Sequence, residues 1–329
     1  MHWSGGLTQL AVRLSALMPF AQTTAILEEA FQLPTAVTSL WRRTQQVGKR
    51  LHALEEQQRT QATALPRLWE PPLVRQAAKR MGVALDGAII NLRHEGWKEL
   101  KIACVFDVGV RRCADSLTGE EVPVAQAVDT SYVAHLGGPD AIGELLLSEA
   151  QRRQWEQAGD TLVLGDGAPW IWNQVTLHFP YSLQLVDWYH AKSHLVDAAK
   201  LLKGDGTPAC DRWLEKRTLT LYQGHAATIA RELAEAAASK SVNSDALARA
   251  AGYFAANAKR MNYLEIREAL WPIGSGVIES AAKQFKARFC GSGMHWSRRG
   301  AEQMTTLRAA VLSHRFDELF VHAHHPPPN

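Results

Sequence analysis

The sequence predicts an α/β fold: one mixed sheet flanked by helices, with an all-α insertion and a helical start. Three observations carry it. Apolar residues recur at three- and four-residue spacing through residues 7–60, a helical period. From about residue 82 the pattern changes to short apolar runs bounded by glycine, aspartate and proline, which are strand signals. Residues 203–270 then return to a helical period with no strand among them.

Taken in order, "LTQLAVRLSALM" and "PFAQTTAILEEAFQ" are helices, ended by "LPT". The next helix, "AVTSLWRRTQQVGKRLHALEEQQR", has Thr35 as N-cap and Val37, Leu40, Trp41, Val47 and Leu51 along one face. Arg42, Arg43 and Gln45 are left outward. Residues 1–60 therefore suit a helix-turn-helix DNA-binding region, although an ordinary helical hairpin has the same pattern. "QATALPRLWEPPLVRQ", with three prolines, marks a linker over 61–79.

"GVALDGAIINLR" and "KELKIACVFDVG" are strands, and "EEVPVAQAVDTSYVAHLG" is a third, weakened by Pro123. "PDAIGELLLSEAQRRQWEQAG" is a helix, "TLVLGD" a short buried strand, and Pro169 opens another helix at a position where proline fits. "YSLQLVDWYH" is a strand running into the helix "AKSHLVDAAKLL". Three sequential strands imply an antiparallel meander, and the later strands, separated by helices, imply parallel crossovers. That order is ribonuclease H-like. It assigns 80–202 to the first part of a core, 203–272 to the helical insertion and 273–316 to the rest of the core. Within that last part, helices run over about Val277–Phe289 and "SRRGAEQMTTLRAAVLSHRF", leaving 317–329 as a tail.

Composition excludes several classes. Apolar residues make up 46% and charged residues 21%, as in globular proteins, and no apolar stretch approaches the roughly 20 residues of a membrane helix. The start lacks a signal-peptide pattern, so a cytoplasmic protein with no membrane partner is expected. Cys104, Cys113, Cys210 and Cys290 form no CxxC pair, which argues against a zinc finger. Net charge is only +3, but the window Ala281–Arg315 holds Lys283, Lys286, Arg288, Arg298, Arg299, Arg308 and Arg315 against Glu302 alone. Such a stripe suits a polyanionic partner, or is a solvated helix face.

Phosphodiester chemistry needs an activated oxygen nucleophile and stabilisation of the leaving oxygen, which two divalent cations held by carboxylates supply. Three acids stand where separate elements could converge. Asp86 is within the first strand, Asp166 ends the fourth, where α/β sheets place ligands, and Glu279 opens a helix after the insertion. Each has a plainer reading: a hairpin turn at Asp86-Gly87, a turn or helix entry at Asp166-Gly167, and a helix-dipole contact at Glu279. "GSGVIE" is not a dinucleotide loop, and no GxSxG or HExxH is present.

"LGDGAPWIWN", "LVDWYHAKSHL", "WPIGSGVIESAAK" and "GSGMHWSRRGAEQMTTLRA" closely resemble segments of bacterial insertion-sequence transposases of the ISKra type, and "LDGAIINLRHEGWKELKIACVFD" looks like the segment around that family's first aspartate. The resemblance spans about residues 80–315. It implies a DDE recombinase with a ribonuclease H-like core and a helical insertion before the glutamate. Asp86, Asp166 and Glu279 are then metal ligands for two Mg²⁺ ions, which Mn²⁺ can replace. Asp187 and His190 in "DWYH" match a [C/D]-x-x-H signature, where His190 would orient a phosphate or a metal-bound water, or be a structural histidine. Trp170, Trp172 and Trp296 are candidates for stacking on unpaired bases, with core packing as the alternative. Lys283, Lys286 and Arg288 would hold phosphates near the metals.

The implied activity is strand cleavage at element ends followed by strand transfer. The implied partners are terminal inverted repeats and target DNA, bound by a homodimer or larger assembly at the nucleoid. A catalytically silent, domesticated DNA-binding protein and a nuclease without strand transfer are the rivals. The family usually carries a longer N-terminal region, often with paired cysteines, and residues 1–60 here hold no cysteine.

Overall fold

The computed structural model describes residues 3–64, 76–114, 120–239, 243–291 and 293–324. Three helices lead: α1 (Gly5–Leu17), α2 (Phe20–Phe31) and α3 (Val37–Ala64). The sheet follows as β1 (Gln76–Leu92), β2 (Gly96–Ala114) and β3 (Glu121–His135), then α4 (Pro139–Arg152), β4 (Ala158–Gly165), α5 (Pro169–His178), β5 (Leu183–Val186) and α6 (Trp188–Lys203). The insertion is α7 (Pro208–Tyr222), α8 (Ala226–Ala238), α9 (Ser244–Asn257) and α10 (Tyr263–Glu268). The chain closes with α11 (Gly276–Phe289), α12 (Arg298–Leu312) and α13 (Phe316–His324). No described helix is long and apolar enough to cross a membrane.

The five strands lie in the order β3-β2-β1-β4-β5. β1, β2 and β3 form an antiparallel meander, and β1–β4 and β4–β5 pair in parallel. The mixed sheet flanked by helices is thus as expected. The middle of β2, from Leu100 to Phe106, is a continuous buried run. Such a run needs layers on both faces. Pro123 is accommodated because β3 is an edge strand, where a missing N–H donor costs no ladder bond.

Several boundaries differ from the sequence reading. The helix expected over 139–159 stops at Arg152, because Gln154 turns left-handed (φ 61°) and Trp155–Gln157 forms a 3₁₀ turn before β4 begins at Ala158. The strand expected over 181–190 is only Leu183–Val186, because the Asp187 side chain caps α6. The continuous helix suggested by "DALARAAGYFAANAKRMNYLEIREAL" breaks after Asn257 into a 3₁₀ turn and α10. Residues up to His324 are helical rather than a tail, with Phe316 and Phe320 buried. The proline-rich linker lies mostly outside the described residues.

The N-terminal helices are built into the main core. On α3 the buried stripe is Leu40, Thr44, Val47, Gly48 and Leu51, while Val37 and Trp41 are exposed. Gly48 is there because α12 passes against it: a Cβ would meet the Gln303 Cβ at 3.0 Å. The Thr35 hydroxyl donates to the Leu33 carbonyl at 3.1 Å. Val12, Ala16, Val47 and Leu51 join the same apolar cluster as the sheet.

Candidate active site

The β1–β4 register pairs Ala84 with Leu164, and the β4–β5 register pairs Gly165 with Val186. Two residues beyond the first pair come Asp86 and Asp166, and one beyond the second come Asp166 and Asp187. Three aspartates from distant parts of the chain thus stand in one row across β1, β4 and β5. Their side chains then diverge in role.

Asp86, Asp166 and His190 converge: each offers a ligand atom, and these atoms lie within 4.8 Å of one another. Asp86 is not in a hairpin turn, since it pairs with Ile102 inside the β1–β2 ladder. Its carboxylate accepts the Gly87 N–H at 2.7 Å. Burial pushes the Asp86 carboxyl above its ordinary value, the Gly87 N–H and His190 oppose this, and the charges of Asp166 and Glu279 add to the rise. Asp166 does also serve as the helix-entry residue, because its Oδ1 accepts the Ala168 N–H at 2.7 Å ahead of α5. Gly167 permits the tight exit with φ of 98°.

Asp187 is fully buried and outside the cluster. Its carboxylate accepts the His190 N–H at 2.8 Å and the N–H of Ser275. His190 Nδ1 stands 3.5 Å from the Asp187 Oδ1. The Asp187 side chain raises the His190 imidazole against the opposing effect of burial. Burial would push Asp187 up, but His190 and Ser275 overcome it and hold the carboxyl below its ordinary value. Asp187 therefore fixes the imidazole that faces Asp86 and Asp166.

Glu279, in the first turn of α11, is half-buried and outside the three-residue cluster, though its charge reaches Asp86. Backbone bonds tie the quoted motifs together. The Asp187 N–H donates to the Gly165 carbonyl at 2.8 Å, and the Trp188 N–H to the Ile273 carbonyl at 3.0 Å. "LGDG", "DWYH" and "WPIGSG" thus form one contact surface, and α11 packs on β1.

The residues expected at DNA divide sharply. Lys283, Lys286, Arg299 and Arg42 are exposed. Arg43 lies 4.5 Å from the Trp3 ring centroid. Arg298 is engaged by Glu95, with the Leu136 carbonyl as a further partner at 3.2 Å. Arg288 is 1% exposed and donates to the Ser15 carbonyl at 2.8 Å, at the end of α1, so it holds no external phosphate. Arg308 likewise donates to the Ala16 carbonyl at 2.9 Å, and Arg315 to Glu149. Trp172 is buried, its indole N–H on Asn257 and Arg260 over its ring. Trp170 is half-buried with Lys101 over its ring at 4.9 Å. Trp296 is buried against Phe20 and Phe289. Trp172 and Trp296 are thus packed in the core, and Trp170 alone of the three stays partly exposed.

The insertion brings residues that sequence patterns did not single out. The Tyr253 hydroxyl donates to the Asp166 carbonyl at 3.0 Å, and its ring stacks on His194 at 3.8 Å. The Asn257 Oδ1 accepts from Trp172. Tyr253 and Asn257 are four apart on α9, so one helix face grips the Asp166 loop. The only available signal was the pair in "YFAAN" just before a helix break, and its spacing is also that of core packing.

A model of an uncharacterised protein family (UPF0236) matches residues 144–316, more than half of the chain. No curated protein matches.

Proposed function

The chain belongs to the uncharacterised protein family UPF0236, and we propose from the geometry of its site that it is a DNA transposase of the DDE type on a ribonuclease H-like core. The observation that carries this is the meeting of Asp86, Asp166 and His190 within 4.8 Å, where β4 ends beside the middle of its parallel neighbour β1. The strand order, meander first and parallel crossovers after, supports the same core.

Two carboxylates and an imidazole fit a divalent ion, and the imidazole makes Mn²⁺ at least as suitable as Mg²⁺. Glu279, beside the cluster, would join one of the aspartates for a second ion. Bound ions of this kind activate a water or a 3′-hydroxyl and stabilise the leaving oxygen. The chain's own residues do the rest. Asp187 holds the His190 ring, Tyr253 steadies the Asp166 loop, and exposed Lys283 and Lys286, one and two turns beyond Glu279, approach DNA phosphates. Inverted repeats and target DNA are the proposed partners, bound by at least a homodimer because two ends must be joined.

Asp86, Asp166 and His190 without Glu279 favour a second reading, a nuclease that hydrolyses without strand transfer. Incubating the protein with Mg²⁺ or Mn²⁺ and a plasmid carrying candidate inverted repeats separates the two: joined products mark the transposase, nicks alone the nuclease. Asp166→Asn is expected to abolish both while leaving DNA binding intact. Full activity in that variant removes the assignment.

A further inference from the structure

The first turn of α6 sends three neighbouring side chains in three directions, since successive helix positions stand about 100° apart. Trp188 turns inward, edge-on to Tyr222 and Tyr263, with ring centroids 5.6 and 4.8 Å away. His190 turns to Asp86 and Asp166. Tyr189, between them, is left 61% exposed. The backbone beneath it is fixed, because Asp187 caps the helix and the Trp188 N–H donates to the Ile273 carbonyl at 3.0 Å.

The ring is seated along one edge. A Cβ on Gly274 would stand 2.8 Å from the Tyr189 Cε2 and 3.2 Å from its Cδ2, and 3.8 Å from the Asp187 Oδ2. Gly274 is thus packed between the tyrosine and the carboxylate that holds His190. It lies two residues before α11, the helix that carries Glu279. Tyr189 therefore stands at the junction of the two helices that bring His190 and Glu279 to the cluster. Cations accompany it. Lys192, on the next turn of α6, is exposed, as is Lys283 one turn beyond Glu279, and residues 188–196 include no acid. Core packing does not account for a ring that is mostly in solvent. A tyrosine on a fixed backbone, by contrast, offers a broad contact surface at low cost in conformational entropy.

We infer that Tyr189 is the platform for an unpaired base of the bound DNA, the base next to the phosphate that Asp86 and Asp166 address, with Lys192 at the adjoining phosphate. Every base has a π-face, so such a platform accepts any sequence, and a neighbouring cation follows the backbone. Tyr189 thereby takes the role expected of Trp172 and Trp296, which the core claims. The inference rests on the DNA reading above and adds to it that the strand is locally unpaired at the site.

The test uses the full chain at one fixed salt concentration, with Ca²⁺ in place of Mg²⁺, and three probes. They are an oligothymidine, the same backbone bearing abasic sites, and the oligothymidine with 5-iododeoxyuridine in place of thymidine, which on irradiation cross-links to an aromatic ring stacked on it. The cross-link is expected to map to Tyr189 by mass spectrometry. Tyr189→Ala should weaken oligothymidine binding about tenfold and leave the abasic strand unchanged, while Tyr189→Phe, which keeps the ring, should bind as wild type. Lys192→Ala should weaken both strands alike, and its having no effect would remove the phosphate contact. Equal weakening of both strands by Tyr189→Ala, a Tyr189→Phe variant as weak as the alanine, or no cross-link at Tyr189 overturns the platform and leaves the DNA reading standing. Failure of the wild-type chain to bind any of the three probes overturns both.

Discussion

The Asp187 carboxylate joins His190 to Ser275, residues that lie 85 positions apart in the chain, by accepting the backbone N–H of each. One buried side chain therefore sets both the imidazole beside Asp86 and Asp166 and the start of the helix that carries Glu279. Asp187→Ala orphans both N–H groups. Each is expected to cost about 1–3 kcal/mol, seen as a lower Tm. The same change removes the main group raising His190, so its titration, followed by NMR of the ring Cε1, should move to lower pH. The sign is fixed by linkage: a raised imidazole stabilises the fold below its unfolded value near 6.5, and that contribution is lost as pH rises through the folded value. The variant's deficit should therefore be larger at pH 6 than at pH 9. An unmoved His190 titration would remove Asp187 from its positioning role.

Metal affinity should rank the acids by their distance from the cluster. Asp86→Asn and Asp166→Asn each alter a carboxylate of the converging cluster and, on the proposed reading, should leave no saturable Mn²⁺ binding by calorimetry. Glu279→Gln, outside the cluster, should weaken binding by about 10–100-fold, the range for a group next to the ligands. Equal loss in all three variants would instead make Glu279 a ligand on the same footing. Because burial and neighbouring charge raise the Asp86 carboxyl, binding should also tighten as pH rises through that value, with proton release in proportion.

Gly167 should tolerate no side chain. Its φ of 98° is strained for any L-residue, and a Cβ would stand 2.8 Å from the Tyr253 Cε2 and 3.1 Å from the Asn257 Nδ2. Gly167→Ala is expected to destabilise by about 1–3 kcal/mol in thermal unfolding. It should also impair Mn²⁺ binding more than its stability loss explains, because Asp166 immediately precedes it. A variant that unfolds early yet binds metal normally would show that α9 braces the fold and not the site.

Much of the fold was legible because period and punctuation agree with it: the strand run around Asp86, the short strand before Asp166 and Pro169 at a helix start all follow from local chemistry. Asp86 and Asp166 were legible as a pair because the expected strand order makes β1 and β4 neighbours, so the residue that ends β4 stands beside β1. Other features were hidden because they depend on partners far away in the chain. Arg288 and Arg308 count as basic charge in a window, but the carbonyls of Ser15 and Ala16 that bind them lie more than 270 residues earlier. Trp41 looks like a core residue by spacing, yet α12 takes the stripe through Thr44 and Gly48 and leaves the indole outside. Asp187 reads in the sequence only as half of the [C/D]-x-x-H signature, and its hold on Ser275, 88 residues on, shows only in the fold.

Glu149 gives the fold an acid-sensitive joint. It is 5% exposed on α4 and receives Arg152 from its own helix and Arg315 from the turn before α13. Burial would push its carboxyl up, but Arg152 and Arg315 prevail and hold it below the ordinary value of 4.5. A depressed carboxyl contributes stability that is present above the unfolded value and is lost as pH falls through the folded one. Glu149→Gln removes the closest counter-charge of Arg315, which keeps only the exposed Glu318 at 3.7 Å, while Arg152 is 40% exposed and stays hydrated, so a cost of about 1–3 kcal/mol is expected at pH 7. Chemical denaturation at stepped pH should show the gap between wild type and variant constant from pH 7 to about 5, then narrowing below roughly pH 4 as the native glutamate protonates. A gap that stays constant down to pH 3 would mean that packing of the α4–α13 contact, and not its charges, carries that stability.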